Sequence, residues 1–98
     1  MFVRVIKSYR DVVAICDSNL LGKIFEEGEF QLDVKENFYK GEEMTEEQVL
    51  DIITRMARED AIFNIVGKQA IALAVLSGII TGEGIQTIQS IPFAMVLM

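Results

Sequence analysis

The chain has 98 residues, of which 51% are hydrophobic, with nine lysines or arginines, fifteen acidic residues, one cysteine and no histidine. This size and apolar content predict a single domain over residues 1–98 and exclude intrinsic disorder. The lone Cys16 excludes a disulfide scaffold. The lack of histidine excludes Ser-His and Cys-His catalysis and removes the commonest zinc ligand. The sequence contains no recognisable spacing of other metal-ligating residues, so we expect no metal and no cofactor.

Two features of the sequence bear on localisation. Residues 1–4 include Arg4 and lack the apolar core of a signal peptide. The apolar run over residues 70–76 is far shorter than the ~20 residues that span a bilayer. We therefore expect a cytoplasmic protein without a membrane partner.

The acidic residues are concentrated in the middle of the chain. Residues 26–51 hold ten acids against two lysines, whereas residues 1–25 carry a small positive excess. Because acids repel phosphates, broad nonspecific nucleic-acid binding is not expected, although local RNA contact through the basic N-terminus stays open. The acidic stretch is interpreted first as a solvated loop and helix start. The alternative is a docking surface for a basic partner, such as a ribosomal or initiation-factor surface.

The first half of the chain reads as strands and one turn of helix. Residues 2–7 and 12–16 are rich in β-formers and flank a polar turn, which predicts a β-hairpin. Residues 17–19 offer N-cap chemistry for a helical turn over residues 20–25. Residues 30–35 alternate apolar and polar side chains, which is typical of a half-buried strand.

The second half contains the clearer helix signals. Thr45 and Gln48 have the spacing of a capping box, which predicts a helix from about residue 46 to residue 59. A second helix is predicted to open within residues 64–69 and to end at Ser77, with Gly78 as its left-handed cap. Its residues are apolar nearly all the way round, so either the sheet and the first helix both cover it or a partner does.

The C-terminal segment is almost uncharged. Residues 81–84 predict a turn, residues 85–90 a strand, and residues 93–98 a central strand or an adhesive tail; Glu83 is the one charge in residues 69–98. The predicted fold is α+β: a small, mostly antiparallel sheet of about five strands with two main helices packed on one face. A homodimer through the apolar C-terminal segment is a further hypothesis.

Residues 64–69 are the first candidate site. An Asn64 cap followed by Gly67 and Lys68 would present free backbone N–H groups and a positive charge to a phosphate or a carboxylate. The complete nucleotide-loop pattern fails, because Ile62 and Gln69 stand where it needs a glycine and a Ser or Thr. The alternative is that Gly67 allows close packing and Lys68 points to water.

Two other groups of residues could carry chemistry. Phe38, Tyr39, Lys40 and Gly41 could form a stacking or docking site; alternatively, Phe38 closes the edge of the core and Gly41 serves a turn. The second of these groups is the pair Cys16 and Asp17. Asp17 is an unfavourable neighbour for a reactive cysteine, because a carboxylate raises the pKa of a thiol. We therefore interpret Cys16 as a small buried core residue and Asp17 as a cap rather than a catalyst.

The order of these local patterns resembles a small archaeal family, domain of unknown function four-twenty-four. The resemblance rests on residues 13–17, 20–23, 38–41, 64–70, 78–80 and 91–94. It implies a single-domain α+β protein of the cytoplasm with no assigned activity and a suspected link to translation or RNA handling. By position it adds Lys23 to the candidate residues. Family members commonly have a histidine after the proline near the C-terminus, and Phe93 stands there in this chain.

Two functions from different classes follow. The favoured one is a non-enzymatic binding module for a protein or ribonucleoprotein partner, because no nucleophile-base pair is present beside the polar motifs. The alternative is a small-ligand or nucleotide-binding enzyme with a pocket centred on Lys68 and Asp17, whose side chains would have to converge on one substrate.

Overall fold

A six-stranded sheet forms the centre of the protein, and the computed structural model describes all 98 residues. The order of its strands is β5-β1-β2-β6-β8-β7, and every neighbouring pair is antiparallel except β2 and β6, which are parallel. Its strands are β1 (Phe2–Ile6), β2 (Val12–Cys16), β5 (Glu42–Glu43), β6 (Ile62–Val66), β7 (Gln86–Ile88) and β8 (Ile91–Leu97). A separate hairpin consists of β3 (Ile24–Glu27) and β4 (Phe30–Asp33).

The two longer helices share one face of the sheet. They are α2 (Glu46–Arg58) and α3 (Lys68–Ser77), and both bury apolar side chains in the main core against Ile15 and Phe63 of the central strands. The predicted capping box is confirmed, because the Gln48 N–H donates to Thr45 Oγ1 at 3.3 Å and the Thr45 N–H donates to Gln48 Oε1 at 2.9 Å. Gly78 is the left-handed cap of α3, as predicted. No helix is long and apolar enough to cross a membrane.

The opposite face of the sheet is covered only in part. The short helix α1 (Glu36–Tyr39) and the β3–β4 hairpin lie over one end of this face. Together they enclose a second, smaller core that includes Cys16, Val34 and Val66. Elsewhere on the same face, Met95 and Leu97 of β8 remain exposed. The partial cover leaves depressions between the sheet and the hairpin.

The predicted number of strands was too small, since the structure has eight strands rather than about five. The helical turn predicted over residues 20–25 was also wrong. A single 3-10 turn covers Ser18–Leu20, and β3 follows, because Ile24–Glu27 pairs with Phe30–Asp33 around Gly28 at φ 62°. Cross-strand pairing within the hairpin prevails there over the local helix signal.

The cap of α3 comes from a distant part of the chain. Asn64, predicted to open this helix, lies in β6, and the helix begins only after Gly67. Asp17, at the end of β2, accepts hydrogen bonds from the Gln69 N–H at 3.0 Å and from the Ala70 N–H at 2.8 Å. Because β2 and β6 are parallel neighbours, they end at the same edge of the sheet, which brings Asp17 to the helix start. Gly67 has φ 111°, and a Cβ there would collide with the Asp17 carboxylate.

Replacing Gly67 should therefore strongly destabilise the fold. We expect Gly67→Ala to lower the free energy of unfolding by about 3 kcal/mol or more, because the left-handed backbone becomes strained and the Asp17 carboxylate is displaced. The matched control is Gly82→Ala, where an added Cβ meets nothing within 4 Å. Urea denaturation should place the control within about 0.5 kcal/mol of the parent. Equal losses in the two variants would contradict this account.

Candidate functional site

The N-terminus of α3 is already hydrogen-bonded to a carboxylate of its own chain. Asp17 is 6% exposed, and its two oxygens accept from the first amides of the helix. This loop was a candidate site for a phosphate or a carboxylate, and in the structure Asp17 lies in that position. Lys68 begins the helix and is exposed to solvent. The chemistry of this end of α3 is therefore that of a structural cap.

Asn64 instead lines a cleft on the opposite face of the sheet. It is a half-buried residue in the middle of β6, and the cleft has a volume of about 430 Å³. Tyr39 of α1 and Gln86 of β7 contribute the other polar side chains, while Leu32, Val66, Phe93 and Met95 contribute apolar walls. None of the residues that line this cleft is charged. Of the predicted site residues, the structure brings Asn64 and Tyr39 together here.

A second cleft adjoins the first and has a different character. Its volume is about 320 Å³, and it shares Gln86 and Phe93 with the Asn64 cleft. Its far wall is formed by Glu27 and by Phe30, whose side chain is 74% exposed. We call the two adjoining clefts together the groove. It passes from an uncharged end at Asn64 to an acidic end at Glu27.

The acidic wall of the groove is fixed to the sheet by one residue. Gln89, in the turn between β7 and β8, donates through Nε2 to the Glu26 carbonyl at 2.6 Å and through its backbone N–H to Glu27 Oε1 at 3.0 Å. Gln89 and Ser90 adopt positive φ angles of 50° and 64° in this turn. The β3–β4 hairpin is therefore attached to the turn, and the acidic wall has a defined position relative to Phe93.

The polar groups of the uncharged end are free to bind. The Tyr39 hydroxyl and the amides of Asn64 and Gln86 take part in none of the side-chain hydrogen bonds of the protein, and none of these atoms is sealed from solvent without a partner. Burial, and then the thiolate charge that Cys16 acquires in alkali, raise the pKa of Tyr39 to about 12. The hydroxyl therefore keeps its proton at neutral pH. This end of the groove can donate and accept hydrogen bonds but supplies no acid or base.

Cys16 is fully buried, which confirms its interpretation as a core residue. Burial and then the neighbouring Asp17 carboxylate raise the pKa of the thiol to about 11. The thiol is therefore protonated at neutral pH and is not a nucleophile. Asp17 is a cap, as predicted, but for α3 rather than for the turn that follows it. Neither Asp17 nor Lys68 lines the groove.

The other predicted residues lie outside the groove. Phe38 packs at the edge of the second core, with its ring edge-on to Tyr39 at 5.0 Å between centroids. Lys40 pairs with Glu36 at 3.4 Å on the surface. Gly41 lies against the backbone of Val3, so no side chain fits there. Lys23 is exposed, and its backbone links the 3-10 turn to Val34.

Sequence reasoning did not single out Glu27, Phe30, Gln86 or Phe93 as groove residues. The alternation over residues 30–35 predicted that Phe30 would face the core, on the same face of the strand as Leu32 and Val34. Glu27 was counted only among the acids of the middle segment. The groove forms where β7 and the hairpin meet, and the order of residues along the chain does not show this contact. No sequence pattern near these residues therefore indicated a groove.

Comparisons with known proteins agree with this fold and assign no activity. A family model described as "Protein of unknown function (DUF424)" matches residues 6–98. The crystal structure of an uncharacterized conserved protein from Methanopyrus kandleri is similar, with a TM-score of 0.85 at 22% sequence identity. The match covers 98% of this chain and 90% of that chain, and at this identity it shows the fold alone. None of the curated proteins matches.

The raised pKa values predict a loss of stability in alkali. A thiol whose pKa rises from 9.0 to about 11 on folding stabilises the fold fully below pH 9, and this contribution is lost as the pH rises through 11. The raised pKa of Tyr39 adds a further loss of stability as the pH rises from 10 to about 12. Between about pH 8 and pH 11, the parent should lose about 1–2 kcal/mol more unfolding free energy than Cys16→Ala. Chemical denaturation of both proteins across this pH range measures the difference. Identical pH profiles of unfolding free energy for the parent and Cys16→Ala would contradict the prediction.

Proposed function

The chain belongs to the DUF424 family of proteins of unknown function, and we propose that it is a non-enzymatic binding module whose groove holds an extended, basic segment of a protein partner. The observation that carries this proposal is the pair of adjoining clefts that share Gln86 and Phe93 and differ in charge. A groove with one uncharged end and one acidic end distinguishes the two ends of a bound segment.

The dimensions of the groove suit a short stretch of chain. It crosses β6, β8 and β7, so at a strand spacing of ~4.8 Å it is about 10 Å long. At ~3.3 Å per residue, this length accommodates about three residues of extended peptide. At the inner end, an uncharged side chain or backbone amide of the segment would hydrogen-bond to Asn64, Gln86 and the Tyr39 hydroxyl.

The outer end favours a lysine or an arginine. Glu26, Glu27 and Glu29 are exposed on the hairpin that forms this wall, and Phe30 offers an aromatic face beside them. A cation near both a carboxylate and an aromatic ring gains from each. The same carboxylates would repel the phosphates of a nucleic acid, so a ribonucleoprotein partner would be bound through its protein component.

Glu27 is the one carboxylate that lines the groove, and no cation or second acid lines it to form a catalytic pair. Its inner polar groups are neutral amides and a hydroxyl whose pKa is about 12. The alternative enzyme would need Asp17 and Lys68 to converge on a substrate. Asp17 instead holds the amides of Gln69 and Ala70, and Lys68 is exposed at the helix start. Recognition, rather than catalysis, is the function that this geometry supports best.

Selection of peptides from a random displayed library on the immobilised chain tests the proposal. We expect the selected peptides to be enriched in lysine or arginine next to an uncharged or apolar residue. Fluorescence anisotropy with one selected peptide then compares Glu27→Gln with Glu47→Gln. The first variant keeps the acceptor for the Gln89 N–H but loses the charge at the groove, and the second removes an equal charge in the first turn of α2.

Affinity should fall about two- to fivefold in Glu27→Gln, the effect of one exposed charge pair, and should stay near the parent value in Glu47→Gln. Phe30→Ala should weaken binding further with little change in stability, because its side chain is 74% exposed. Equal losses in the two glutamate variants, enrichment of acidic peptides, or displacement of the peptide by a single-stranded RNA probe would overturn the proposal.

A further inference from the structure

Few hydrogen bonds join the β3–β4 hairpin to the rest of the protein. The hairpin forms its own two-stranded sheet and shares no ladder with the six-stranded sheet. The only hydrogen bonds between residues 24–33 and the rest of the chain are the two that Gln89 donates to Glu26 and Glu27. Phe25 and Leu32 pack against the second core, so the stem of the hairpin is anchored there. The residues beyond them, 26–31, are all exposed, and we call them the flap.

The flap presents a free backbone carbonyl to Gln89. At the base of the hairpin, the Val34 N–H donates to the Lys23 carbonyl, and hydrogen-bonded pairs recur at every second residue of an antiparallel ladder. Glu26 and Gln31 therefore form a non-hydrogen-bonded pair, whose backbone groups point out of the hairpin. The Glu26 carbonyl has no partner within the hairpin, and Gln89 Nε2 is its donor at 2.6 Å.

The turn that carries Gln89 has a sequence that does not favour its backbone. Gln89 and Ser90 both have positive φ angles, as in the type I′ turn of a two-residue hairpin. Such a turn favours asparagine followed by glycine, because a positive φ is costly for other side chains. Gln89 reaches the Glu26 carbonyl, whereas an asparagine would be one methylene shorter. The strained position is therefore occupied by a side chain whose contact is with the flap.

We propose that the flap is a movable wall of the groove and that Gln89 is the positioning residue that closes this wall on a bound segment. Glu27 and Phe30 are the flap residues that line the groove, opposite Phe93. Opening the flap widens the groove, and closing it brings the acidic wall back against the segment. The inference rests on the proposed function for the bound segment, whereas the hold of Gln89 on the flap is a property of the free chain.

Relaxation-dispersion NMR on the free chain tests the hold of Gln89. Through the amides of residues 26–31, it measures the population of an open flap on the microsecond-to-millisecond timescale of such motions. Gln89→Asn removes the contact with the Glu26 carbonyl and should raise the open population about two- to tenfold, the factor that corresponds to one net hydrogen bond. The control Ser90→Gly keeps Gln89 and suits the turn, so it should leave the population at the parent value.

Urea denaturation separates this positioning role from a merely structural one. The unfolding midpoint of Gln89→Asn should stay near that of the parent, because a residue that the turn favours offsets the lost hydrogen bond. Ser90→Gly should not lower the midpoint either. An unchanged open population in Gln89→Asn, an equal increase in Ser90→Gly, or an increase explained by a lower midpoint would overturn the positioning role.

The dissociation rate of a peptide selected on the chain tests the closure. Gln89→Asn should raise this rate about two- to tenfold without lowering the association rate, because an open flap admits the segment but does not hold it. Ser90→Gly should release the peptide at the parent rate, and a parent rate in Gln89→Asn would overturn the closure. A chain that selects no peptide would overturn the proposed function and the closure with it. The free-chain populations would still decide whether Gln89 holds the flap.

Discussion

The two hydrogen bonds from the start of α3 to the Asp17 carboxylate hold the architecture together. They join the end of β2 to the first turn of a helix that begins 51 positions later, and they do so beside the one parallel strand pair in the sheet. Because the carboxylate is buried, its contact with the helix N-terminus is weakly screened. Gly67 is part of the same arrangement, since any side chain there would occupy the place of the carboxylate.

This interaction also decides where recognition can occur. The helix start that would otherwise attract a phosphate is paired with Asp17, so the Gln69 and Ala70 amides are not free to bind an anionic ligand. With α3 and α2 on one face, the other face is left to α1 and the hairpin, which cover it only in part. The groove beside Asn64 is a consequence of that partial cover. This groove is proposed to hold a segment of a protein partner.

The sequence was informative wherever the controlling interaction was local. The capping box of Thr45 and Gln48, the left-handed cap at Gly78 and the first hairpin each depend on residues a few positions apart, and all are present. The sequence was misleading where the controlling partner was distant. The Asn64 side chain could cap a helix, but Asn64 lies in β6, where it pairs with β2 and β8. The carboxylate of Asp17 caps α3 instead. Phe30 alternates like a core residue, yet it lies beside the hairpin turn at Gly28, outside the second core, and 74% of its side chain is exposed.

The occupancy of the α3 N-terminus by Asp17 is the claim that most needs a direct test. Titration of the isotope-labelled chain with inorganic phosphate, followed through the amide resonances of Gln69 and Ala70, provides it. Because both amides already donate to the Asp17 carboxylate, the account predicts no saturable shift of either resonance. A saturable movement of both resonances as phosphate is added would show that the helix start is an open anion site and would contradict the account.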